Sequence, residues 1–141
     1  MNTLIIEDEP RAARRLQQLI QKVSPEAEVV GLFDSVRETL AFIDTQPEID
    51  LIFADIQLSD GLSFEIFEKS NVPCPVIFTT AYDQYAIDAF NTNGVDYLLK
   101  PIREDRLRQA MRKVEKLSSN SSHVGHLTSL LERLNYPSKQ Y

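Results

Sequence analysis

The sequence contains one cysteine in 141 residues, so no disulfide bond can form within the chain. That cysteine, Cys74, lies beside an apolar run, and we expect it to be a small core residue. Long hydrophobic runs are also missing: no stretch approaches the length that crosses a bilayer, and Asn2 and Thr3 open no basic, signal-like segment. We therefore expect a cytoplasmic protein without membrane association.

The chain also has fewer positively charged than negatively charged residues. Lysine and arginine number 15 against 21 aspartates and glutamates, which gives a net charge of −6. An acidic domain has no broad electrostatic attraction for nucleic acid, so this segment by itself is a poor candidate for DNA binding. With four glycines in the chain, no glycine-rich phosphate-binding loop occurs either. The length and a hydrophobic content of 43% are those of one globular domain.

What is present is a regular alternation of short apolar runs with segments of helical spacing. A short apolar run bounded by turn residues is typical of a strand that is buried on both faces. Strands that alternate with helices predict right-handed βαβ units, which build a parallel sheet with helices on both faces. We expect a doubly wound α/β fold. The predicted strands are Leu4–Ile6, Val29–Phe33, Leu51–Ala54, Val76–Ala81 and Val95–Pro101.

Local signals mark where the helices begin and end. Pro10 suits the first turn of a helix, and Pro25 ends the apolar periodicity that starts there. Ser35-Val36-Arg37-Glu38 has the form of a capping box at the start of a second helix. Further helices are expected around Leu62 to Phe67, from roughly Asp83 to Asn91, and after Pro101 with Leu107 to Leu117 on the apolar side.

The run Leu51–Ala54 ends in a single acid, Asp55, and a turn-forming loop at Ser59–Gly61 follows. In an open α/β sheet, ligands bind at the carboxyl ends of the strands. Asp55 is therefore a candidate functional residue. The alternative is that Asp55 caps the next helix or turn, as aspartate often does.

Four other polar residues lie at the ends of predicted strands, and a parallel sheet brings these ends to one edge. Carboxylates about 4 Å apart repel by roughly 1 to 4 kcal/mol, so such a cluster raises pKa values or recruits a divalent cation. Oxygen ligands with open positions for water suit Mg²⁺. An ordinary salt-bridge network around the lysine is the alternative. The four residues are Glu7 and Asp8 at the end of strand one, Thr80 at the end of strand four and Lys100 at the end of strand five.

Asp55 is also suited to attack on phosphorus. An aspartate is ionised at neutral pH without a general base, and carboxylates act as nucleophiles in forming aspartyl-phosphates. Phosphoryl transfer needs mainly positioning and charge neutralisation, which a metal ion, Lys100, the Thr80 hydroxyl and a backbone N–H supply.

The residues at these strand ends match the pattern of a known family. The matching positions are the acid pair Glu7-Asp8, Asp55, Thr80-Ala81 and Lys100-Pro101. Over roughly residues 1 to 118, the sequence resembles the receiver domain of two-component response regulators.

Three longer segments refine this resemblance. The segments Ile6–Pro10, Phe78–Tyr82 and Asp96–Ile102 are similar to the LytTR (LytR/AlgR) branch of response regulators. The resemblance implies a flavodoxin-like receiver fold with a five-stranded parallel sheet of order 2-1-3-4-5. It also implies that Asp55 accepts a phosphoryl group from a sensor histidine kinase.

The resemblance assigns roles around Asp55 as well. It implies that Asp8, Asp55 and the Gln57 backbone carbonyl ligate Mg²⁺, and that Glu7, a Glu where the wider family usually has Asp, acts largely through bound water. Residues that would hold the phosphoryl oxygens are Lys100, the Thr80 hydroxyl and the Ala81 backbone N–H.

The resemblance further implies a switch: Thr80 moves toward the phosphoryl group and the ring of Tyr97 turns into the vacated space. A half-buried strand tyrosine is the alternative interpretation of Tyr97. Phosphorylation-dependent dimerisation is expected through the fourth helix, fifth strand and fifth helix of the receiver fold. Such a domain is not a metabolic enzyme, since it catalyses only its own phosphorylation and dephosphorylation.

The composition changes after Leu117. We expect residues 1–118 to form the receiver domain, and residues 119–141 to form a serine-rich linker and a short helix around Leu127 to Leu134. That segment would lead to a LytTR-type DNA-binding domain beyond Tyr141, through which alone DNA would be contacted. The alternative is a stand-alone receiver that acts by protein–protein interaction.

Two unrelated classes of protein are disfavoured by particular residues. A haloacid-dehalogenase-type phosphatase needs a second acid two residues after its nucleophilic aspartate, where this sequence has Gln57. A flavodoxin needs a phosphate-binding loop after strand one, where this sequence has Glu7-Asp8-Glu9.

Overall fold

The computed structural model describes residues 1–81 and 94–119. Their main sheet has five strands in the order β2-β1-β3-β4-β5, and every neighbouring pair is parallel. The predicted doubly wound sheet and its strand order are therefore confirmed. The strands are β1 (Asn2–Ile6), β2 (Glu28–Phe33), β3 (Leu51–Asp55), β4 (Val76–Thr80) and β5 (Gly94–Leu99).

Four helices are described: α1 (Pro10–Val23), α2 (Val36–Asp44), α3 (Phe64–Lys69) and α4 (Glu104–Ser119). The predicted capping box opens α2, where the Glu38 N–H donates to Ser35 Oγ over 3.1 Å. The helix α4 ends one residue beyond the predicted domain boundary. The helix predicted from roughly 83 to 91 and the segment 120–141 lie outside the described residues.

A short antiparallel hairpin, Gln57–Leu58 paired with Gly61–Leu62, lies between β3 and α3 and forms a sheet of its own. The sequence pattern predicted a third helix that begins around Leu62. That prediction was wrong by two residues, because Gly61 and Leu62 are extended and α3 begins at Phe64.

The sheet separates two apolar cores, because successive side chains of a strand point to opposite faces. Every residue of β3 and β4 is buried, as expected for central strands of a doubly wound sheet. One core contains Leu4, Ile52, Ala54 and Phe78 from the sheet with Val36 of α2 and Phe64 and Ile66 of α3. The other contains Ile5, Phe53, Ile77 and Leu98 with Leu16 and Ile20 of α1 and Leu107 and Met111 of α4.

Cys74 lies in the first of these cores with 7% of its surface exposed. Burial raises the pKa of its thiol to about 12, so the reactive thiolate is scarce at neutral pH. The prediction of a core cysteine is confirmed.

None of the helices within residues 1–81 and 94–119 combines the length and apolar character that a membrane span requires.

Candidate functional site

The carboxyl ends of β1 and β3 bring three acids together. These strands pair in parallel, with Ile6 opposite Ala54, so Glu7 and Asp8 follow β1 beside Asp55 at the end of β3. One carboxylate oxygen from each acid lies within 4.8 Å of those of the other two. The predicted acidic cluster is thus assembled at one edge of the sheet.

Lys100 joins two members of this cluster. Its backbone N–H donates to the Thr80 carbonyl oxygen over 2.8 Å, which continues the β4–β5 pairing by one residue. Its Nζ atom lies 2.6 Å from Glu7 Oε1 and 3.1 Å from Asp55 Oδ2. Both carboxylates are buried, with 4% of Glu7 and 7% of Asp55 exposed. A single ammonium therefore partly neutralises two desolvated acids.

The remaining oxygens of these two acids have backbone partners. Glu7 Oε2 accepts from the Glu9 N–H over 3.1 Å, and Asp55 Oδ1 accepts a long bond of 3.4 Å from the Gln57 N–H. Asp8, by contrast, is exposed to solvent. The long side chain of Glu7 thus contacts Lys100 and the local backbone, whereas Asp8 faces solvent.

The electrostatics of the cluster follow from burial and like charge. Burial raises the pKa of Glu7, the hydrogen bond from Lys100 opposes this shift, and the charge of Asp55 reinforces it. Partial desolvation and the neighbouring Glu7 carboxylate raise the pKa of Asp8. Burial favours neutral Lys100, but the hydrogen bond to Glu7 and the attraction of Asp55 outweigh it, so its pKa is raised. A cation added here would relieve the excess of negative charge.

The donor set suits a small hard cation. Carboxylate oxygens with solvent access on one side are the ligands that Mg²⁺ accepts, since it retains several of its waters in protein sites. Asp8 and Asp55 offer oxygens to such an ion, and the Gln57 backbone carbonyl belongs to the adjacent hairpin.

The other predicted residues lie on the neighbouring strands. Thr80 is the last residue of β4, with 1% of its surface exposed, and the exposed Ala81 follows it. Tyr97 lies in the middle of β5, half-buried, and packs against the core of α2 and α3. Thr80 and Lys100 are thus adjacent through their backbones, while Tyr97 is set back from the edge.

Two side-chain contacts, one of Asp60 and one of Asp96, were not predicted from the sequence. The Asp60 carboxylate accepts hydrogen bonds from the N–H groups of Val36 and Arg37, at the start of a helix 24 residues earlier. The sequence indicated only a turn at Asp60, because nothing local marks a contact at that separation.

The second missed contact is Asp96 in β5, which is buried with 3% of its surface exposed. Its Oδ1 atom lies 3.3 Å from Arg106 Nη2, and its Oδ2 atom 3.1 Å from Lys113 Nζ. Both cations belong to α4, where a seven-residue spacing places them on one face. An acid inside an otherwise apolar strand was the available signal.

Comparison with known proteins identifies the class. Residues 3–112 match the family described as "Response regulator receiver domain". The chain therefore belongs to the response regulator receiver family, and the predicted resemblance is confirmed.

Curated relatives indicate a branch of the family to which the chain is similar. The "Sensory transduction protein LytT" of Bacillus cereus is 36% identical over 129 residues, which cover 89% of this chain and 52% of that protein. The "Transcriptional regulatory protein LytR" of Staphylococcus aureus is 38% identical over 133 residues, 89% of this chain and 53% of that protein. These names are consistent with the LytTR branch. The chain spans about half the length of the curated relatives that it matches.

Solved structures agree with the fold. The response regulatory domain of mrkE from Klebsiella pneumoniae superposes with a TM-score of 0.71 at 34% identity, covering 82% of this chain and 96% of that one. A two-component response regulator from Clostridium difficile superposes with a TM-score of 0.70 at 25% identity, with the same coverages of 82% and 96%.

Proposed function

We propose that Asp55 accepts a phosphoryl group from a sensor histidine kinase in a Mg²⁺-dependent reaction. The observation that carries the proposal is the position of Lys100 Nζ, 3.1 Å from Asp55 Oδ2, with the oxygens of Glu7, Asp8 and Asp55 gathered within 4.8 Å. This arrangement supports the proposal, because it gathers a carboxylate that could act as the nucleophile, a lysine ammonium and three acids that could hold a metal ion.

In the proposed reaction, a carboxylate oxygen of Asp55 forms a bond to phosphorus as the bond from phosphorus to the histidine nitrogen of the kinase breaks. Lys100 neutralises charge on the transferred group, because its ammonium already lies beside the attacking carboxylate. Mg²⁺ supplies further charge neutralisation when bound. Asp8, Asp55 and the Gln57 carbonyl would hold it, with Glu7 acting through water and through Lys100.

We also propose how phosphorylation changes the conformation of the domain. The Thr80 hydroxyl and the Ala81 N–H would bind phosphoryl oxygens together with Lys100, and Tyr97 would follow Thr80 as the switch. A phosphoryl group shifts the population toward the active arrangement only by the extra contacts that it makes there. Apart from its own phosphorylation and dephosphorylation, the domain would catalyse no reaction.

The curated relatives support a role for the whole protein in transcription regulation. Because relatives of about twice this length include a "Transcriptional regulatory protein LytR", we infer a cytoplasmic transcription regulator in which this receiver controls an attached LytTR-type DNA-binding domain. Phosphorylation would promote homodimerisation through β5, α4 and the helix predicted from roughly 83 to 91. DNA would be bound through the attached domain alone, since the 141-residue chain carries a net charge of −6.

Labelling with acetyl phosphate tests the proposal. The wild-type protein should incorporate phosphate only when Mg²⁺ is present, and Asp55→Asn should reduce incorporation to background. Asp34→Asn is the matched control, because Asp34 follows the neighbouring strand β2 but lies outside the acidic cluster. Undiminished labelling of Asp55→Asn would remove Asp55 from the role.

A further inference from the structure

The segment from Ile56 to Ser63 follows Asp55 directly and contains Gln57. Its hairpin has only two residues in each strand, pairing Gln57 with Leu62 and Leu58 with Gly61. A two-stranded hairpin of this size is not stable by itself in water. Other contacts must therefore fix the position of the Gln57 backbone.

One set of contacts lies at the base of the hairpin. The Ser63 N–H donates to the Ile56 carbonyl oxygen over 2.8 Å, and the Leu62 N–H donates to Glu65 Oε2 over 3.1 Å. Gly61 adopts a φ of +147°, which favours glycine, and a side chain there would collide with the Glu65 carboxylate. These contacts join the second strand of the hairpin to the start of α3.

The turn of the hairpin is held from the other side by α2. Asp60 Oδ1 accepts from the Val36 N–H over 2.8 Å, and Asp60 Oδ2 accepts from the Arg37 N–H over 3.1 Å. The first N–H groups of a helix have no partner within the helix, and a carboxylate is favoured at that end. These hydrogen bonds, that of Val36 first, hold the pKa of Asp60 below its usual range.

We propose that Asp60 is a positioning residue for the phosphoacceptor site: by joining the hairpin turn to α2, it fixes the Gln57 backbone beside Asp55 and so sets the affinity for Mg²⁺. The inference rests on the proposed function, in which the Gln57 carbonyl and Asp55 hold the metal ion. Mg²⁺ requires near-ideal octahedral geometry. A small displacement of one backbone oxygen therefore weakens binding.

The test is a calorimetric Mg²⁺ titration of the wild-type protein and four variants. Asp60→Ala removes both hydrogen bonds to α2, and we expect roughly 3- to 10-fold weaker binding, at or below the 10- to 100-fold effect of partners that contact a metal ligand directly. Asp34→Ala removes the same charge near the same helix end, where the Asp34 side chain makes no hydrogen bond to a described residue, and should leave the affinity unchanged. Ser35→Ala removes the local cap of α2 but keeps the contact with the hairpin, and it should also leave the affinity unchanged.

A second readout is amide hydrogen exchange at Leu62 and Ser63. Exchange should be faster in Asp60→Ala and unchanged in Ser35→Ala, and Asp60→Asn, which keeps one acceptor oxygen, should be intermediate in both measurements. If the wild-type protein and Asp60→Ala bind Mg²⁺ equally, or if Asp34→Ala weakens binding as much, the positioning role is wrong. If the wild-type protein binds no Mg²⁺, the proposed function itself fails.

Discussion

At the scale of single residues, the Lys100 ammonium lies 2.6 Å from Glu7 and 3.1 Å from Asp55, two carboxylates that are almost wholly buried. Like charges in such surroundings are tolerated because the lysine is fixed between them. Any change that removes this cation leaves two acids without their main compensation. A metal ion bound at this cluster would neutralise the same negative charge as the lysine.

Lys100→Ala should bind Mg²⁺ more tightly than the wild-type protein, by roughly two- to tenfold, because a unit positive charge near the ion is removed. Isothermal titration calorimetry measures the two affinities. Lys22→Ala is the control, since Lys22 is an exposed lysine that pairs with Glu104 of α4, which is not a member of the acidic cluster. Weaker Mg²⁺ binding by Lys100→Ala would contradict the charge balance described for the site.

Asp60 gives a pH-dependent prediction at the same scale. Its pKa is lowered in the folded protein, chiefly by the N–H groups of Val36 and Arg37. Its contribution to stability is therefore present above the unfolded pKa of about 3.9 and is lost as the pH falls through the lower folded value. The other titratable side chains around the same helix end are Asp34, Arg37 and Glu38.

Asp60→Asn should therefore be less stable than the wild-type protein at pH 7, by roughly 0.3 to 1 kcal/mol, the usual worth of a negative charge at the N-terminus of a helix. The difference should shrink as the pH falls below about 4, where the wild-type carboxylate takes up a proton. Urea unfolding of both proteins at several pH values measures it. A difference that grows toward low pH would show that the carboxylate is not what stabilises α2.

At the scale of secondary-structure elements, buried Asp96 joins β5 to α4. Its carboxylate also accepts from the Tyr97 N–H over 2.8 Å, and Arg106 donates to the Tyr97 carbonyl oxygen over 3.2 Å. The backbone of the predicted switch residue is thus held on both sides by this ion cluster. Packing of α4 on the sheet depends on the same contacts.

Asp96→Asn should lower the free energy of unfolding by about 1 to 3 kcal/mol, because a buried, charge-assisted network loses its anion while its cations keep access to water. Urea denaturation measures the loss. Asp105→Asn is the matched control, since Asp105 lies on the same helix and its exposed pair with Arg103, just before the helix, is worth no more than about 1 kcal/mol. Equal losses in the two variants would contradict a special role for Asp96.

Elements with a strong local pattern could be predicted from the sequence. The apolar runs that end at Ile6 and Asp55 are strands because they are buried on both faces, and Ser35 caps α2 through a contact three residues away. The hairpin after Asp55 could not be predicted. Its two-residue strands carry no periodicity, and the contact that holds it, from Asp60 to α2, joins distant parts of the chain.

The candidate site was predictable for a related reason. In a parallel sheet, every strand presents its carboxyl end at one edge, so the neighbours of Asp55 followed from the strand order alone. The strand order did not predict which side-chain atoms would contact one another. That Glu7 bonds to Lys100 and Asp8 faces solvent depends on side-chain length and local backbone direction, which the strand order does not specify.

At the scale of the whole molecule, the fold joins four distant segments into one charged edge while two apolar cores hold the sheet from both sides. In the proposed function, this edge would bind a phosphoryl group while both cores stay intact. In the proposed function, the response reaches a second copy of the chain through the face that contains β5 and α4.

The wild-type protein should shift from monomer to dimer when Mg²⁺ and beryllofluoride, a phosphoryl mimic, are added. Lys100→Ala should keep the fold but lose this shift, because the lysine links the bound group to β5. Sedimentation velocity measures the shift, and circular dichroism checks the fold. If Lys100→Ala dimerises to the same extent as the wild-type protein, Lys100 does not couple binding of the phosphoryl group to dimerisation.

The most direct test of the central claim is to locate the phosphoryl group chemically. Protein treated with acetyl phosphate and Mg²⁺ is reduced with borohydride, which converts an acyl phosphate to a homoserine that peptide mass spectrometry can place. We predict homoserine at position 55 in the wild-type protein and in Asp34→Asn, and none when Mg²⁺ is chelated. Modification at Glu7, Asp8 or any other acid in place of Asp55 would contradict the account.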